Sequence, residues 1–364
     1  MQLLVFAQTP PPVHGQSLMV QTLLAGLPKA VPDLKVFHVN PRLSRDARDV
    51  GRWRVGKMVL VLGCCLRALA LRTRHGPMNL YYVPAPGRRA PLYRDWVVML
   101  ICRVFFRRLI LHWHGIGLGA WLDERATAPE RWLTRRLLGR ADLAIVLAPE
   151  LVADAQALSP RKVAIVRNGI EDPGTEPALT RAPADPTQIL FIGLCTPAKG
   201  LFDTLTAVAV ANRRVEGAFR LLVAGSFANA RDEEAFHSQA AALGTGVVQF
   251  LGFADDSSKH ALLAKADVFC FPTTHPHEGQ PLSLIEALAH DLPIITTRWR
   301  AIPGMLPTGH VWFVDPARPD QIADALIACR NSAPRNGDRR RHFLAHFTRE
   351  RHLTQFAAAL AMTK

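Results

Sequence analysis

Two carboxylates flank the start of an apolar helical pattern in HPHEGQPLSLIEALAHDLPIITT, residues 275–297. Glu278 lies in a Pro-rich loop and Glu286 in the apolar run, with Gly279 and Pro281 between them. Pro281 fits a first helical position, where its missing N–H costs nothing. Leu284, Ile285, Leu288 and Ala289 then form one apolar stripe. The unpaired amides of such a helix start make an anion site, and Gly279 lets the backbone approach a ligand. Carboxylates accept well from sugar hydroxyls. Glu278 and Glu286 can therefore hold hydroxyls at the two ends of a nucleotide sugar, with its diphosphate against the amides. Equally, Glu278 can be an acid favoured by the helix dipole and Glu286 a solvated helix residue. The residue types alone leave these two readings even.

Three further stretches carry polar groups where a strand gives way to a loop. In ILFIGLCTPAKG (189–200), Lys199 opens the next helix at Gly200 and can meet a phosphate there. As a mere surface lysine it would oppose the helix dipole. In AQTPPPVHGQS (7–17), Gly15 marks the bend, Ser17 is a candidate helix cap, and His14 is either a ligand contact or an exposed loop histidine. In LILHWHGIGLG (109–119), His112 and His114 share one strand face, with no acidic or cysteine partner at metal-ligand spacing. No D-x-D triplet occurs in the chain, which argues against a diphosphate held through a divalent cation.

The elements that position these residues follow from the hydrophobic pattern. Continuous apolar runs at 3–7, 34–39, 79–83, 109–113, 143–148 and 163–167 read as strands covered on both faces. Helical patterns at 16–27, 56–72, 92–106 and 129–139 lie between them. Residues 168–188 hold four prolines and two glycines without periodicity and read as a linker. The alternation restarts with strands at 189–193, 220–225, 247–252, 268–272, 293–297 and 310–314. Two doubly wound α/β domains facing a cleft are expected, with ligands beyond the carboxyl ends of the strands. The expected boundaries are 1–170, a linker at 171–188, 189–345, and a C-terminal helix at 346–364 that is able to cross back to the first domain.

The 364 residues suit two such domains, and 49% apolar against 20% charged residues is a globular composition. Six cysteines without regular spacing read as buried thiols in a reducing compartment. MQLLVFAQTPPP lacks the basic n-region of a signal peptide, and no run long enough to span a bilayer is free of charge. The charge is uneven. Residues 1–170 hold 25 Lys and Arg against 10 Asp and Glu, a balance of +15, whereas the remainder holds 19 against 20. That asymmetry implies a polyanionic partner for the first half, or else only a solvated basic face.

The stretch from Glu278 to Glu286, followed by Ala287-Leu288-Ala289, resembles the E-x7-E signature of the retaining GT-B glycosyltransferases of family 4. AIVRNGIE (164–171), ILFIGLCTPAKG (189–200), Gly252-Phe253 and ADVFCFPTTHPHEG (266–279) follow the same family's pattern in order. The resemblance implies a GT-B fold, with residues 1–170 binding acceptor and 189–345 binding donor. It implies Glu278, Lys199 and His114 as catalytic residues. Donor contacts would come from Gly15, Gln16, Gly193, Thr196, Lys199, Gly225, Phe253, Glu278, Gly279, Gln280, Pro281, Leu282, Ser283 and Glu286. Acceptor contacts would come from His14 and Gly15. Glu286 would take the donor ribose and Glu278 the transferred sugar. The family usually has Arg where this chain has Leu194, so the diphosphate lacks one cation. The loop PPP-x-HGQS resembles a variant of bacterial polysaccharide-assembly transferases.

These observations together predict a metal-independent hexosyltransferase with no cofactor. A UDP- or GDP-linked sugar is the donor and a lipid-linked saccharide the acceptor. A nucleotide-sugar epimerase of the same fold needs acid and base groups around the sugar, and no clear set stands out. A nucleic-acid-binding protein would set aromatic residues among its arginines, whereas these arginines lie beside apolar helical runs, so no nucleic-acid partner is expected. VGKMVLVLGCCLRALALRTRH (55–75) can lie in the plane of an anionic membrane with Lys57, Arg67, Arg72 and Arg74 at headgroups. WVVMLICRVFFRRLILH (96–112) reads as an ordinary helix packed on the sheet with its arginines snorkelling. A cytoplasmic enzyme, peripheral on the inner face of the cell membrane, is the expectation.

Overall fold

The computed structural model describes residues 1–42, 55–174, 185–309, 311–332 and 335–363. The chain divides into two compact units. Unit 1 comprises residues 1–169, 277–280 and 349–364, and unit 2 comprises 170–276 and 281–348. Most of the expected linker, at 175–184, lies outside the described residues.

Unit 1 runs β1 (Gln2–Phe6), α1 (Gly15–Ala30), β2 (Lys35–Val39), α2 (Val55–His75), β3 (Asn79–Tyr82), α3 (Arg89–Cys102), β4 (Leu109–His112), α4 (Leu118–Glu124), α5 (Ala128–Leu138), β5 (Leu143–Val146), α6 (Val152–Gln156) and β6 (Val163–Ile165). Its six strands are all parallel, in the order β2-β1-β3-β4-β5-β6. Both sheet faces are covered, so β3, β4 and β5 are buried along their whole length. This explains why they read as unbroken apolar runs.

Unit 2 runs β7 (Thr187–Cys195), α7 (Leu201–Arg214), β8 (Phe219–Phe227), α8 (Ala230–Ala242), β9 (Val248–Phe250), α9 (Asp256–Lys265), β10 (Val268–Phe271), α10 (Leu282–Ala289), β11 (Ile294–Thr297), α11 (Ile302–Met305), β12 (Val311–Val314), α12 (Pro319–Arg330) and α13 (Asp338–His346). Its parallel order is β12-β11-β10-β7-β8-β9, so the direction of winding reverses between β7 and β10. In unit 1 it reverses between β1 and β3. Loops that diverge at such a switch point leave a crevice at the carboxyl edge. A buried anchor closes the far end of unit 2. The Asp291 carboxylate accepts from the amides of Gly337, Arg339 and Arg340 at the start of α13, and the fully buried Arg339 guanidinium donates to the Asp291 carbonyl.

The last helix, α14 (Arg349–Ala361), belongs to unit 1. Its Leu353, Phe356, Ala359 and Leu360 join Leu3, Val5, Val20, Leu23 and Tyr81 in one core.

Two expectations about the outer helices change. The stretch 96–112 does not form one packed helix. Val98, Met99 and Cys102 are buried, but α3 ends at Cys102, a 3₁₀ turn follows, and Leu100, Val104 and Phe105 are exposed. Nor does Arg103 reach to solvent as a snorkelling side chain, because it caps the end of α5 by donating to the carbonyls of Leu137 and Gly139. Among the described residues no helix is long and apolar enough to cross a membrane. Five of the six cysteines are buried, Cys64 is half-buried, and all six are free thiols.

Candidate functional site

In unit 1 the polar groups gather in the loops at the carboxyl edge. His14 is the N-cap of α1, and Ser17 lies three residues into the helix. The His14 Nδ1 accepts from the Ser17 amide at 3.2 Å, while Ser17 Oγ accepts from the His14 amide at 3.1 Å. The capping box is therefore His–Ser, and the cap is His14 rather than Ser17. An accepting Nδ1 requires the neutral ring, and burial accordingly lowers the His14 pKa.

His14 and His114 are half-buried and His112 and His352 are buried, and together they form a group of imidazoles. His112, at the end of β4, shares a 2.8 Å hydrogen bond with Tyr81 Oη and lies 4.1 Å, centroid to centroid, from the His114 ring. His352, brought in by α14, donates from Nδ1 to the Arg167 carbonyl at 2.7 Å. Burial lowers the pKa of His112 well below the usual imidazole range, and the neighbouring His114 and His352 add to this. His114 is lowered to about 3, first by burial and then by the charges of His352 and His14. Burial lowers His352 to about 4. The Nε2 atoms of His112 and His114 are buried without a hydrogen-bond partner among the described residues. Leaving such an atom unpaired costs about 1–3 kcal/mol, so the His114 edge is primed for a polar ligand. His112 itself is buried in the packing around Tyr81 and Phe356.

The loop after β4 is pinned from two sides. Asp154 accepts from the amides of Gly117 and Gly119 at 3.1 and 2.6 Å, and His277 donates from Nδ1 to the Ile116 carbonyl at 2.9 Å. Residues 277–280 belong to unit 1 through such contacts. The Gln280 side chain accepts from the Asn168 amide at 2.7 Å, and Asn168 Nδ2 donates to the Gln280 carbonyl at 3.0 Å. A Cβ at Gly279 would lie 2.8 Å from the His114 carbonyl oxygen. Glycine is thus required here by a close approach to protein backbone. Gln280 serves this junction, and Glu278 is buried.

In unit 2 the two loops at the switch point follow β7 and β10. Lys199 ends a 3₁₀ turn, Pro197–Lys199, and α7 begins two residues later, at Leu201. The Thr274 amide donates to Ala198 O at 2.8 Å and ties the two loops together. Gly200 has φ +81°, and a Cβ there would collide with the Pro272 carbonyl. Lys199 Nζ stands 5.5 Å from the centre of the Phe271 ring. Gly193 and Gly225 are paired in register near the ends of β7 and β8, and Thr196 lies just beyond, in extended conformation. Leu194 and Phe253 are exposed.

Pro281 is the N-cap of α10 and Leu282 its first residue, one position later than expected, and no side chain caps the helix. The first amides of α10, from Leu282 onward, have no helical acceptor. Glu286 is buried and not solvated. Its Oε1 accepts from Lys259 Nζ at 2.6 Å, and Asp256 pairs with the same ammonium at 3.1 Å. Burial opposes the charge of Lys259, but Glu286 and Asp256 outweigh it and raise the pKa. Oε2 has no partner among the described residues, so the pair presents one oriented acceptor.

Lys259, His352 and the His277–Gln280 junction escape a reading of the sequence. Lys259 sits 27 residues from Glu286 on a different helix, and His352 is 238 residues from His114. No local pattern links either pair.

Two six-stranded parallel sheets, each wrapped by helices, are the architecture of the GT-B glycosyltransferases. Residues 186–331 match the family described as Glycosyl transferases group 1. The chain is 27% identical over 223 residues to the putative colanic acid biosynthesis glycosyltransferase WcaL of Salmonella typhimurium, covering 59% of this chain and 52% of the relative. It is 32% identical over 170 residues to the phosphatidyl-myo-inositol mannosyltransferase of Mycobacterium leprae, covering 45% and 43%. The chain thus spans about half the length of these curated relatives. Among solved structures it resembles sucrose-phosphate synthase from Thermosynechococcus elongatus, with TM-score 0.75, 18% identity and 99% and 98% coverage. It also resembles Anabaena HepE in complex with UDP, with TM-score 0.68, 18% identity and 99% and 100% coverage.

Because His112, His114 and His352 bind protons far more readily in the unfolded chain, stability is full above the unfolded pKa of 6.5 and falls as pH drops toward about 4. Each contributes up to about 1.4 kcal/mol per pH unit in that window. Urea midpoints measured from pH 7.5 to 5 will fall, and His352→Gln will flatten the slope. An equal slope in that variant would remove His352 from the account.

Proposed function

We propose that the chain is a retaining glycosyltransferase of family 4 type, carrying a hexose from a UDP- or GDP-linked sugar to a lipid-linked saccharide. The observation that carries this reading is the Glu286 carboxylate, buried in α10 at the switch point of unit 2 and oriented by Lys259. The group 1 match over 186–331 and the name of WcaL support glycosyl transfer in polysaccharide assembly.

In this reading Glu286 Oε2 accepts from the donor ribose, and exposed Phe253 offers a flat apolar surface to the base. The first amides of α10 and Lys199 receive the diphosphate. Glu278, with the backbone from Gly279 to Ser283, holds the transferred sugar, and His114 lines its pocket. Gly193, Thr196 and Gly225 let the donor approach the strand ends. His14, Gly15 and Gln16 belong to the loop that meets donor and acceptor. As the bond from anomeric carbon to phosphate oxygen breaks, negative charge grows on the leaving diphosphate. The acceptor hydroxyl attacks from the same face and gives its proton to the departing oxygen. Protein amides and one lysine balance the charge, with no metal step. Leu194 offers no charge, so Lys199 carries more of the load than it would beside an arginine.

The enzyme works as a peripheral protein on the cytoplasmic face of the membrane. Support comes from the +15 balance of residues 1–170 and from α2, which holds no acid and exposes apolar side chains.

Glu286→Ala will weaken UDP or GDP binding by about 1.5–3 kcal/mol, the scale of a charge-assisted hydrogen bond. Unchanged calorimetric affinity would reject the ribose role. Lys199→Ala will lower turnover by roughly 10²-fold or more, with circular dichroism unchanged. Wild-type turnover would mean that other groups hold the diphosphate. In vesicle sedimentation the protein will bind phosphatidylglycerol membranes, less so as salt rises, and Arg67→Glu, Arg72→Glu and Arg74→Glu together will release it. Indifference to anionic vesicles at low salt would point to a soluble acceptor.

A further inference from the structure

At the carboxyl ends of β1 and β2, in unit 1, lies a pocket of about 520 Å³. Thr9, His38, Asn40, Arg42, Leu60 and Arg67 line it, beside Cys64. Its volume is that of a small-molecule site, and its polar groups are ordered. Asn40 Nδ2 donates to Thr9 Oγ1 at 2.6 Å, and the Thr9 amide donates to Asn40 Oδ1 at 3.3 Å. The Thr9 hydroxyl proton is left to donate elsewhere. His38 donates from Nε2 to the Ala7 carbonyl at 2.9 Å, which fixes its tautomer. Its pKa is lowered by burial and by the charge of Arg67, against the pull of that carbonyl. The ring is therefore neutral, and the charge of the pocket resides in Arg42 and Arg67. Among the described residues no carboxylate lines the pocket and neither guanidinium is ion-paired. Two arginines without a counter-charge suit a phosphate, which each can grip through two N–H groups.

The pocket opens beside an unusual helix face. In α2 the inward stripe is Val61, Cys65 and Ala68, all buried. The outward stripe is also apolar: Val59 is 65% exposed, Leu60 54%, Leu62 44% and Leu66 67%. A helix whose solvent side is greasy has a partner that is not water. Leu60 belongs to both the stripe and the pocket, and Arg67, one heptad on, ends the stripe at the pocket wall. Anion site and apolar track are thus continuous.

We propose that this pocket holds the phosphate or diphosphate of the lipid-linked acceptor, with the lipid chain laid along Val59–Leu66 of α2. The proposal rests on the lipid-linked reading of the acceptor and gives that acceptor a binding site. The shared chemistry, a phosphoryl group, also occurs in soluble phosphates, and the apolar track tells the two apart.

Calorimetry on the full chain with farnesyl diphosphate, inorganic pyrophosphate and UDP tests it. Farnesyl diphosphate will bind at least roughly tenfold more tightly than pyrophosphate. Arg42→Gln and Arg67→Gln will each weaken both ligands by about tenfold. Leu66→Asn will weaken farnesyl diphosphate alone, and UDP will bind all variants as it binds the parent. Farnesyl diphosphate affinity unchanged in both arginine variants overturns the site. Equal affinity for the two diphosphates, insensitive to Leu66→Asn, overturns the lipid assignment in favour of a soluble phosphate. Failure of the parent chain to bind both UDP and GDP, run alongside, would sink the transferase reading by itself, whatever the arginine variants do to farnesyl diphosphate.

Discussion

Burial of both sheets on both faces is the constraint on which everything else depends. A parallel strand covered by helices on each side cannot carry a charged or hydrated side chain along its length. Polar chemistry is thereby pushed to the strand ends, where loops turn and backbone groups lack ladder partners. The switch points concentrate it further. In unit 2 the winding reverses between β7 and β10, and the loops after these two strands hold Lys199 and the stretch leading into α10. In unit 1 the reversal lies between β1 and β3, and the loop after β1 supplies His14. The arrangement of candidate residues is a consequence of strand order before it is a matter of any side chain.

The two units solve the electrostatics of a polar edge differently. Unit 1 uses neutral imidazoles. His14, His112, His114 and His352 are kept uncharged by burial and provide directed hydrogen bonds without the desolvation cost of ions. Unit 2 uses an ion pair. Lys259 and Glu286 are both largely buried, and a buried carboxylate lacking its ammonium would be penalised by several kcal/mol. The pair contributes little net stability by that reasoning, but it fixes one rotamer of Glu286. That is what a hydrogen-bond acceptor for a specific hydroxyl needs.

Much of this was legible in the chain. Each of the twelve apolar runs became a strand, and for inner strands such as β3, β4, β5, β10 and β11 two-sided burial writes itself directly into composition. The loops that carry Lys199 and Glu278 could be placed at strand ends for the same reason. What was not legible is long-range or angular. Nothing near Glu286 announces Lys259, and nothing near His114 announces His352, because packing of helices remote in sequence decides both. Ser17 was the more obvious helix cap by residue type, yet the tight turn after three prolines put His14 in the capping position. Glu286 looked as much solvated as buried, since helical periodicity gives a face but not its direction. For α2 the apolar run was plain, and only the fold shows that part of the run turns outward.

That outward turn has an energetic meaning. Burying what remains exposed of Val59, Leu60, Leu62 and Leu66 would be favourable by roughly 1–2 kcal/mol each. Left in water, the same stripe invites self-association. The basic balance of residues 1–170 opposes this by mutual repulsion, since copies carrying a charge of +15 over that segment resist close approach. The same charge draws such a surface toward an anionic one. Grease and positive charge on one helix are therefore not in conflict. Repulsion keeps copies of the chain apart, and the same charge would favour burial of the stripe on an anionic surface, so charge can select one kind of partner over another.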